Sequence, residues 1–411
     1  MIKNCAILFL LIFSFTKVYN QSIDYFIEHG LQNSPLLKDF QGQINTASID
    51  SIMIKAAHRP QIDANAQILY SPAYTNFGYD EAITNGGNYS SVVSISQFFL
   101  NRKTIYNKYE NINLQKQSLD NTLKISSNDL KRLITNQYLQ AFADFSNFNF
   151  SQLFLKLMYE QKDFLKQFVE HGLYKQTDYL SFLIETQNQE MFAKQIKSQY
   201  IKDIYLLNQL CGLNDTVLHE LSLPAIKKNT SANIYKSPLF SHFYIDSLKI
   251  INENKSIGLR YRPKFNWFAD AGFLSSSPNS FYKYFGYSAG INFNIPIYDG
   301  HQRVQEYQKL KISENTRENY SVFFKNQFSQ QMQQLNEDLK TTREMQAQLK
   351  IQLNSANELV NMEKALLNTG NVSITELINA MKNYININLN LNQLQIKELQ
   401  IINEWNYLMQ Q

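Results

Sequence analysis

Tyr287-Ser-Ala-Gly-Ile-Asn-Phe-Asn-Ile-Pro-Ile297 alternates two kinds of side chain. Tyr287, Ala289, Ile291, Phe293, Ile295 and Ile297 fall on one side, and Ser288, Gly290, Asn292, Asn294 and Pro296 on the other. Successive side chains of a strand point to opposite faces, so this spacing predicts a strand with one apolar and one polar face. About ten residues is also the length at which a tilted strand crosses an outer membrane.

The same pattern recurs nearby and again in the first half of the chain. Residues 264–273 place Phe265, Trp267, Ala269, Ala271 and Phe273 opposite Lys264, Asn266 and Asp270. Residues 61–70 place Ile62, Ala64, Ala66, Ile68 and Tyr70 opposite Gln61, Asp63, Asn65 and Gln67. Residues 89–99 alternate more weakly, with Val93, Ile95 and Phe99 against Ser94, Ser96 and Phe98. The segments between the paired strands, 71–88 and 274–286, are rich in Ser, Asn, Gly, Pro and Tyr, as solvated hairpin loops are.

Long uninterrupted arms follow each strand pair. Residues 101–171 contain neither Gly nor Pro, and neither do residues 301–369. A helix of ~70 residues is ~105 Å long. Ile105, Ile112 and Leu119, then Leu130, Ile134, Tyr138, Phe142 and Phe145, mark an apolar stripe in the first arm. Phe324, Phe328, Met332, Leu335 and Leu339 mark one in the second, and seven-residue spacing implies coiled-coil packing. Gly172 and Gly370 are expected at sharp turns, after which helices return over residues 173–210 and 371–411. A shorter helical pattern precedes each strand pair, at about 24–57 and 238–257, and Arg-Pro stops each.

These parts are spaced as a duplication. Ser34-Pro35 and Ser237-Pro238 lie 203 residues apart, as do Arg59-Pro60 and Arg262-Pro263, while Gly172 and Gly370 lie 198 apart. The expected organisation is a signal peptide over 1–20, a first repeat over about 21–212, a connector over about 213–236, and a second repeat over about 237–411. The signal is the apolar run of residues 6–13 behind Lys3, too short to span a bilayer. Cys211 is then alone in the mature chain, which excludes an internal disulfide. No later run reaches ~18 apolar residues, so entry into a membrane requires a β-barrel.

Two strands per half give four per chain, too few to close a barrel around a lumen. An open sheet edge cannot face lipid, so the strands must pair between chains. Three copies give twelve strands, continued by a ring of twelve helical columns. The fold class expected is therefore an α+β membrane protein: four transmembrane strands per chain, a 12-stranded trimeric β-barrel, and a long periplasmic α-helical barrel.

Other chemistries find little support. The net charge of +4 is spread along the chain, with no basic block of the kind nucleic acid attracts. The six histidines form no i,i+4 metal pair, and P-loop and GxGxxG motifs are missing, so neither an enzyme nor a cofactor site is expected. Trp267 is expected on the lipid side of its strand and Trp405 in a buried terminal turn. An exported coiled-coil surface or adhesion protein would account for the long helices but not for four membrane-length strands. A periplasmic adaptor would have one helical hairpin, where two are read here.

The duplicated Arg-Pro strand starts, Ile295-Pro296-Ile297-Tyr298-Asp299-Gly300 at the end of the fourth strand, and the Gly172 and Gly370 hairpins resemble the TolC-type outer-membrane efflux protein family over nearly all of the mature chain. That resemblance implies a homotrimer in the outer membrane, reaching into the periplasm. It implies a passive exit duct for a tripartite efflux pump or a type I secretion system. A periplasmic adaptor would dock at the helical tips, Gly172-Leu173 and Gly370-Asn371, and link the duct to an inner-membrane transporter. By resemblance, Glu376 and Asn379 occupy the two pore-gate positions after the second tip glycine, and the expected latch partners are Thr177 and Asp178. Asn379 stands where the family has an acid, and Val372 where it has a base. From spacing alone, Glu376 and Asn379 share one helix face, and Thr177 reads equally well as an N-cap.

Overall fold

In a computed structural model the described residues are 22–72, 78, 86–99, 101–218, 220–229, 237–369 and 373–410. The expected signal segment lies outside them, as does most of the loop 71–88. The elements run α1 (Ile23–Asn33), α2 (Pro35–Ala56), β1 (Gln61–Ser71), β2 (Gly86–Phe99), α3 (Arg102–Glu170) and α4 (Gln176–Cys211), then α5 (Pro238–Arg260), β3 (Lys264–Ser275), β4 (Phe285–Asn294), α6 (Gln302–Asn368) and α7 (Ile374–Leu408). A 3-10 segment, Pro278–Lys283, sits between β3 and β4. None of the described helices is long and apolar enough to cross a membrane.

The chain divides into two compact units. One contains β1–β4 with α2, α5 and the strand-proximal parts of α3 and α6. Its sheet is antiparallel throughout, in the order β1-β2-β3-β4. The register carries the alternation intact from strand to strand. Ile62 pairs with Ile95, Ile95 with Ala269, and Ala269 with Ala289. Phe99 pairs with Phe265, and Phe265 with Phe293, whose rings meet edge to face at 4.8 Å. Directly opposed residues share a face, so the apolar positions of all four strands gather on one face, interrupted in β2 by Ser91 and Gln97. The other face carries Asp63–Ser94–Asp270–Ser288, where the Ser288 hydroxyl donates to both Asp270 carboxylate oxygens at 2.8 Å. Gly290 is required on that face, because a Cβ there would lie 2.6 Å from the Phe268 ring. Trp267 lies on the apolar face, as expected, with its indole N–H donating to Gln97 Oε1 at 3.3 Å.

Two sequence expectations need correction here. The fourth strand ends at Asn294, short of Ile297, because Pro296 has no N–H to give the ladder. Its continuation instead builds the entry to α6: the Asp299 carboxylate accepts from the amides of His301 (3.0 Å) and Arg303 (2.8 Å), with Gly300 and His301 both at positive φ. The first helical pattern is also two helices, broken at Ser34, because Pro35 cannot donate to Leu31. In the second half the Ser-Pro pair opens α5 directly, with Ser237 Oγ accepting from Leu239 N at 3.3 Å.

The second unit packs α1, α4, α7 and the remaining parts of α3 and α6. Phe26, Ile134, Tyr138, Tyr200, Ile204 and Leu207 form one core cluster. Gly30 permits this approach, since a Cβ would collide with Ile134. Residues of the 213–229 stretch are tied to this unit. Tyr138 Oη donates to Ser222 O (2.8 Å), Asn208 Nδ2 to Asp215 O (2.7 Å), and Asn406 Nδ2 to Lys227 O (2.8 Å). Trp405 is half-buried in the last turns of α7 rather than buried, its N–H donating to Asn229 O at 2.9 Å.

Candidate pore and docking site

The turn between α3 and α4 is built from local chain chemistry. Gly172 has φ +76, which L side chains rarely adopt. Its amide donates to Val169 O at 3.0 Å, and Leu173 N donates to Phe168 O at 2.9 Å, the two bonds of a Schellman stop. Gly212 ends α4 the same way, with φ +63. Leu173, next to the turn glycine, is exposed. Beneath the turn lies a core of Phe154, Met158, Leu165, Phe182, Leu367 and Leu377, drawn from α3, α4, α6 and α7. Tyr174 Oη donates to Leu367 O at 3.4 Å and so joins this turn to the end of α6. The matching residues Gly370 and Asn371, with Val372, lie outside the described residues.

Glu376 is in the first turn of α7, where a carboxylate also favours the helix dipole. Glu376 and Asn379 are both exposed, while Leu377, Ala380 and Met381 are buried in the core. The face they share continues through Asn383, Asn386 and Asn390, all exposed. That amide stripe was missed in the sequence, although the spacing of these asparagines after Glu376 is helical and could have revealed it. Lys382, also on α7, pairs with Glu185 of α4 at 2.7 Å.

Thr177 and Asp178 fall in the first turn of α4, but not in the roles anticipated for a cap. The N-cap is Lys175, so Thr177 is already inside the helix, exposed, with its carbonyl accepting from the Ser181 hydroxyl at 2.9 Å. Asp178 does the capping, its carboxylate accepting from Lys175 N at 3.1 Å.

Deeper in the same unit, α3 and α4 face each other with a pair of acids. Asp203 is 4% exposed and accepts from Gln199 Nε2 at 3.3 Å and Gln137 Nε2 at 3.4 Å. Burial, then the hydrogen bond and charge of Asp203, push the Asp144 carboxyl up to about 7. Like charges this close cannot both ionise cheaply, so the pair holds a proton near neutrality. Cys211 is buried without a charged neighbour, and its thiol is pushed up to about 12. Among the described residues no group of three or more His, Cys, Asp or Glu could hold a metal ion.

No protein-family model matches the chain, and no curated protein sequence matches it. Solved structures do. A membrane protein from Pseudomonas aeruginosa superposes with a TM-score of 0.78 at 11% identity, covering 94% of this chain and 90% of that one. The Campylobacter jejuni CmeC outer membrane channel gives 0.72 at 14% identity, over 94% of this chain and 85% of that one. The outer membrane protein VceC from Vibrio cholerae gives 0.74 at 11% identity, over 94% and 95%. The fold is therefore the TolC type, shared over nearly the whole length of both partners.

Proposed function

We propose that this chain is one protomer of a trimeric outer-membrane exit duct, serving a tripartite efflux pump or a type I secretion system. The observation that carries the reading is the sheet: four antiparallel strands, one mainly apolar face, and unpaired edges at β1 and β4. Four alternating strands leave β4 of one copy antiparallel to β1 of the next, so successive copies extend the ladder without a register flip. Three copies close it at twelve strands, an even number within the range of outer-membrane barrels. The apolar face then meets lipid, and the face bearing Asp63, Asp270 and Ser288 meets the water-filled lumen.

The helices continue the duct into the periplasm. In this reading the mature chain is a duplicated half-protein, with repeats over about 21–212 and 237–411. The turns at Gly172-Leu173 and Gly370-Asn371 are the docking tips for a periplasmic adaptor, which connects to an inner-membrane transporter. Glu376 and Asn379 line the gate, with Thr177 and Asp178 on the facing hairpin. The exposure of Glu376, Asn379 and the asparagines that follow supports a hydrated, weakly charged lining.

The primary test is the mass of the detergent-solubilised protein taken from an outer-membrane fraction. Three chains per particle is the expected result; a soluble monomer or a two-chain coiled coil would overturn the reading. In planar bilayers Glu376→Ala should lower cation selectivity, and an unchanged reversal potential would remove Glu376 from the gate.

A further inference from the structure

In the strand-bearing unit, the ends of α3, α5 and α6 enclose a cavity of about 820 Å³. Arg102 and Lys103 reach it from the first turn of α3, Lys255 and Arg262 from the end of α5 and the turn after it, and Arg303 from the first turn of α6. None of these five cations forms an ion pair with a carboxylate among the described residues, whereas neighbouring Arg260 holds Glu253 at 3.1 Å and Glu306 at 3.2 Å. The other acid nearby, Asp299, is occupied by the amides at the start of α6. The cavity therefore presents five cations that have no ion-pair partner among the described residues.

It is also built rather than incidental. Its floor is the buried pair Asn107 and Asn252: Asn107 Nδ2 donates to the Asn252 carbonyl (2.9 Å) and Oδ1 (2.7 Å), and Asn252 Nδ2 donates back to the Asn107 carbonyl (3.2 Å). The Arg303 guanidinium lies 5.5 Å from the Tyr261 ring and 5.8 Å from the Tyr307 ring, which orients its donors. A planar fork of donors fixed in place is suited to phosphate oxygens.

A second cavity, about 830 Å³, shares Asn107, Leu259 and Arg262 with the first and brings further cations, Lys108, Arg260 and Lys264. It adds Phe98, Phe99 and Pro263, together with His58, whose two ring nitrogens are buried without a hydrogen-bond partner. Phe99 begins the Phe99–Phe265–Phe293 row on the apolar face of the sheet. The lining thus adds, beside its cations, the Phe99 ring and with it the edge of the surface assigned to lipid. A small soluble anion would use only the cations; a molecule with a phosphate head and an acyl chain uses the cations and Phe99.

We infer that the two cavities bind an anionic phospholipid, its phosphate held by Arg102, Arg262 and Arg303 and its upper chain laid against Phe99. This rests on the outer-membrane reading above. The test is native mass spectrometry of the full-length detergent-purified protein exchanged with phosphatidylglycerol or phosphatidylcholine. The wild type should retain phosphatidylglycerol about tenfold better, and R262Q/R303Q should lose that preference. Lys309→Gln, on α6 but outside the cavity, should keep it. Equal retention of the two lipids, an unchanged double variant, or full displacement of phosphatidylglycerol by millimolar inorganic phosphate would overturn the inference. Particle mass and bilayer conductance, measured on the same samples, separate the two proposals: a conducting trimer without lipid preference refutes the site alone.

Discussion

Replacing Asp144 with Asn should remove a pH dependence that the wild-type helical unit carries. The Asp144 carboxyl is lifted from its ordinary 3.8 to about 7, first by burial and then by Asp203. Between those two pH values the folded chain holds a proton that the unfolded chain has released. Wild-type stability is therefore fullest below about pH 4 and declines as the pH rises through about 7. At 1.36 kcal/mol per pKa unit the ceiling is about 4 kcal/mol. Asp144 is only partly buried, and its proton is shared with Asp203, which reduces the expected loss to about 2 kcal/mol. Asn keeps the shape, stays neutral and can still donate to Asp203. D144N should accordingly match wild type near pH 4 and exceed it by about 2 kcal/mol at pH 8, roughly 3 °C in Tm. Thermal unfolding at fixed scan rate over pH 4–8 measures this, and amide exchange in α3 and α4 localises it. Parallel pH profiles for the two proteins would refute the account of a shared proton.

Four further substitutions probe the fold. Gly172→Ala has open space for its Cβ but must hold φ +76, so it should cost about 1 kcal/mol in thermal unfolding through the backbone alone. Gly272→Ala would drive a Cβ into the Ser91 carbonyl and should cost about 1–3 kcal/mol and weaken strand pairing, while Gly286→Ala meets nothing within 4 Å; heat-modifiable gel mobility should separate the two. Tyr138→Phe removes a hydroxyl that donates to Ser222 O at 2.8 Å and accepts from Ser222 N at 3.2 Å, so a loss of about 1–3 kcal/mol is expected in denaturant unfolding.

The strands were legible because period-two alternation is a property of neighbours in sequence. Which residues oppose one another was not, yet the apolar sets read from Ile62, Ile95, Ala269 and Ala289 meet in one register. The turn at Gly172 was legible for the same local reason. Errors arose where one residue does two jobs. Pro296 continues the alternation by position and ends the strand by chemistry, and Asp299, read as part of the strand's close, is the cap of α6. The Asp144–Asp203 pair left no trace in the sequence, because it depends on how two helices face each other. Arg262 was noted as a strand marker, but its place between two cavities follows from the convergence of α3, α5 and β3.

The asparagine stripe on α7 has a consequence for traffic. An amide offers a donor and an acceptor in one group and gains or loses no proton across the pH range a cell meets. A passage lined with Asn379, Asn383, Asn386 and Asn390 would present the same face to anions, cations and neutral solutes alike. Each solute could trade its water contacts for amide contacts at little net gain or loss, leaving no deep well to trap it. Such a surface is slippery rather than selective, so in the proposed duct discrimination between solutes falls to the turn bearing Glu376 and to whatever loads the lower end.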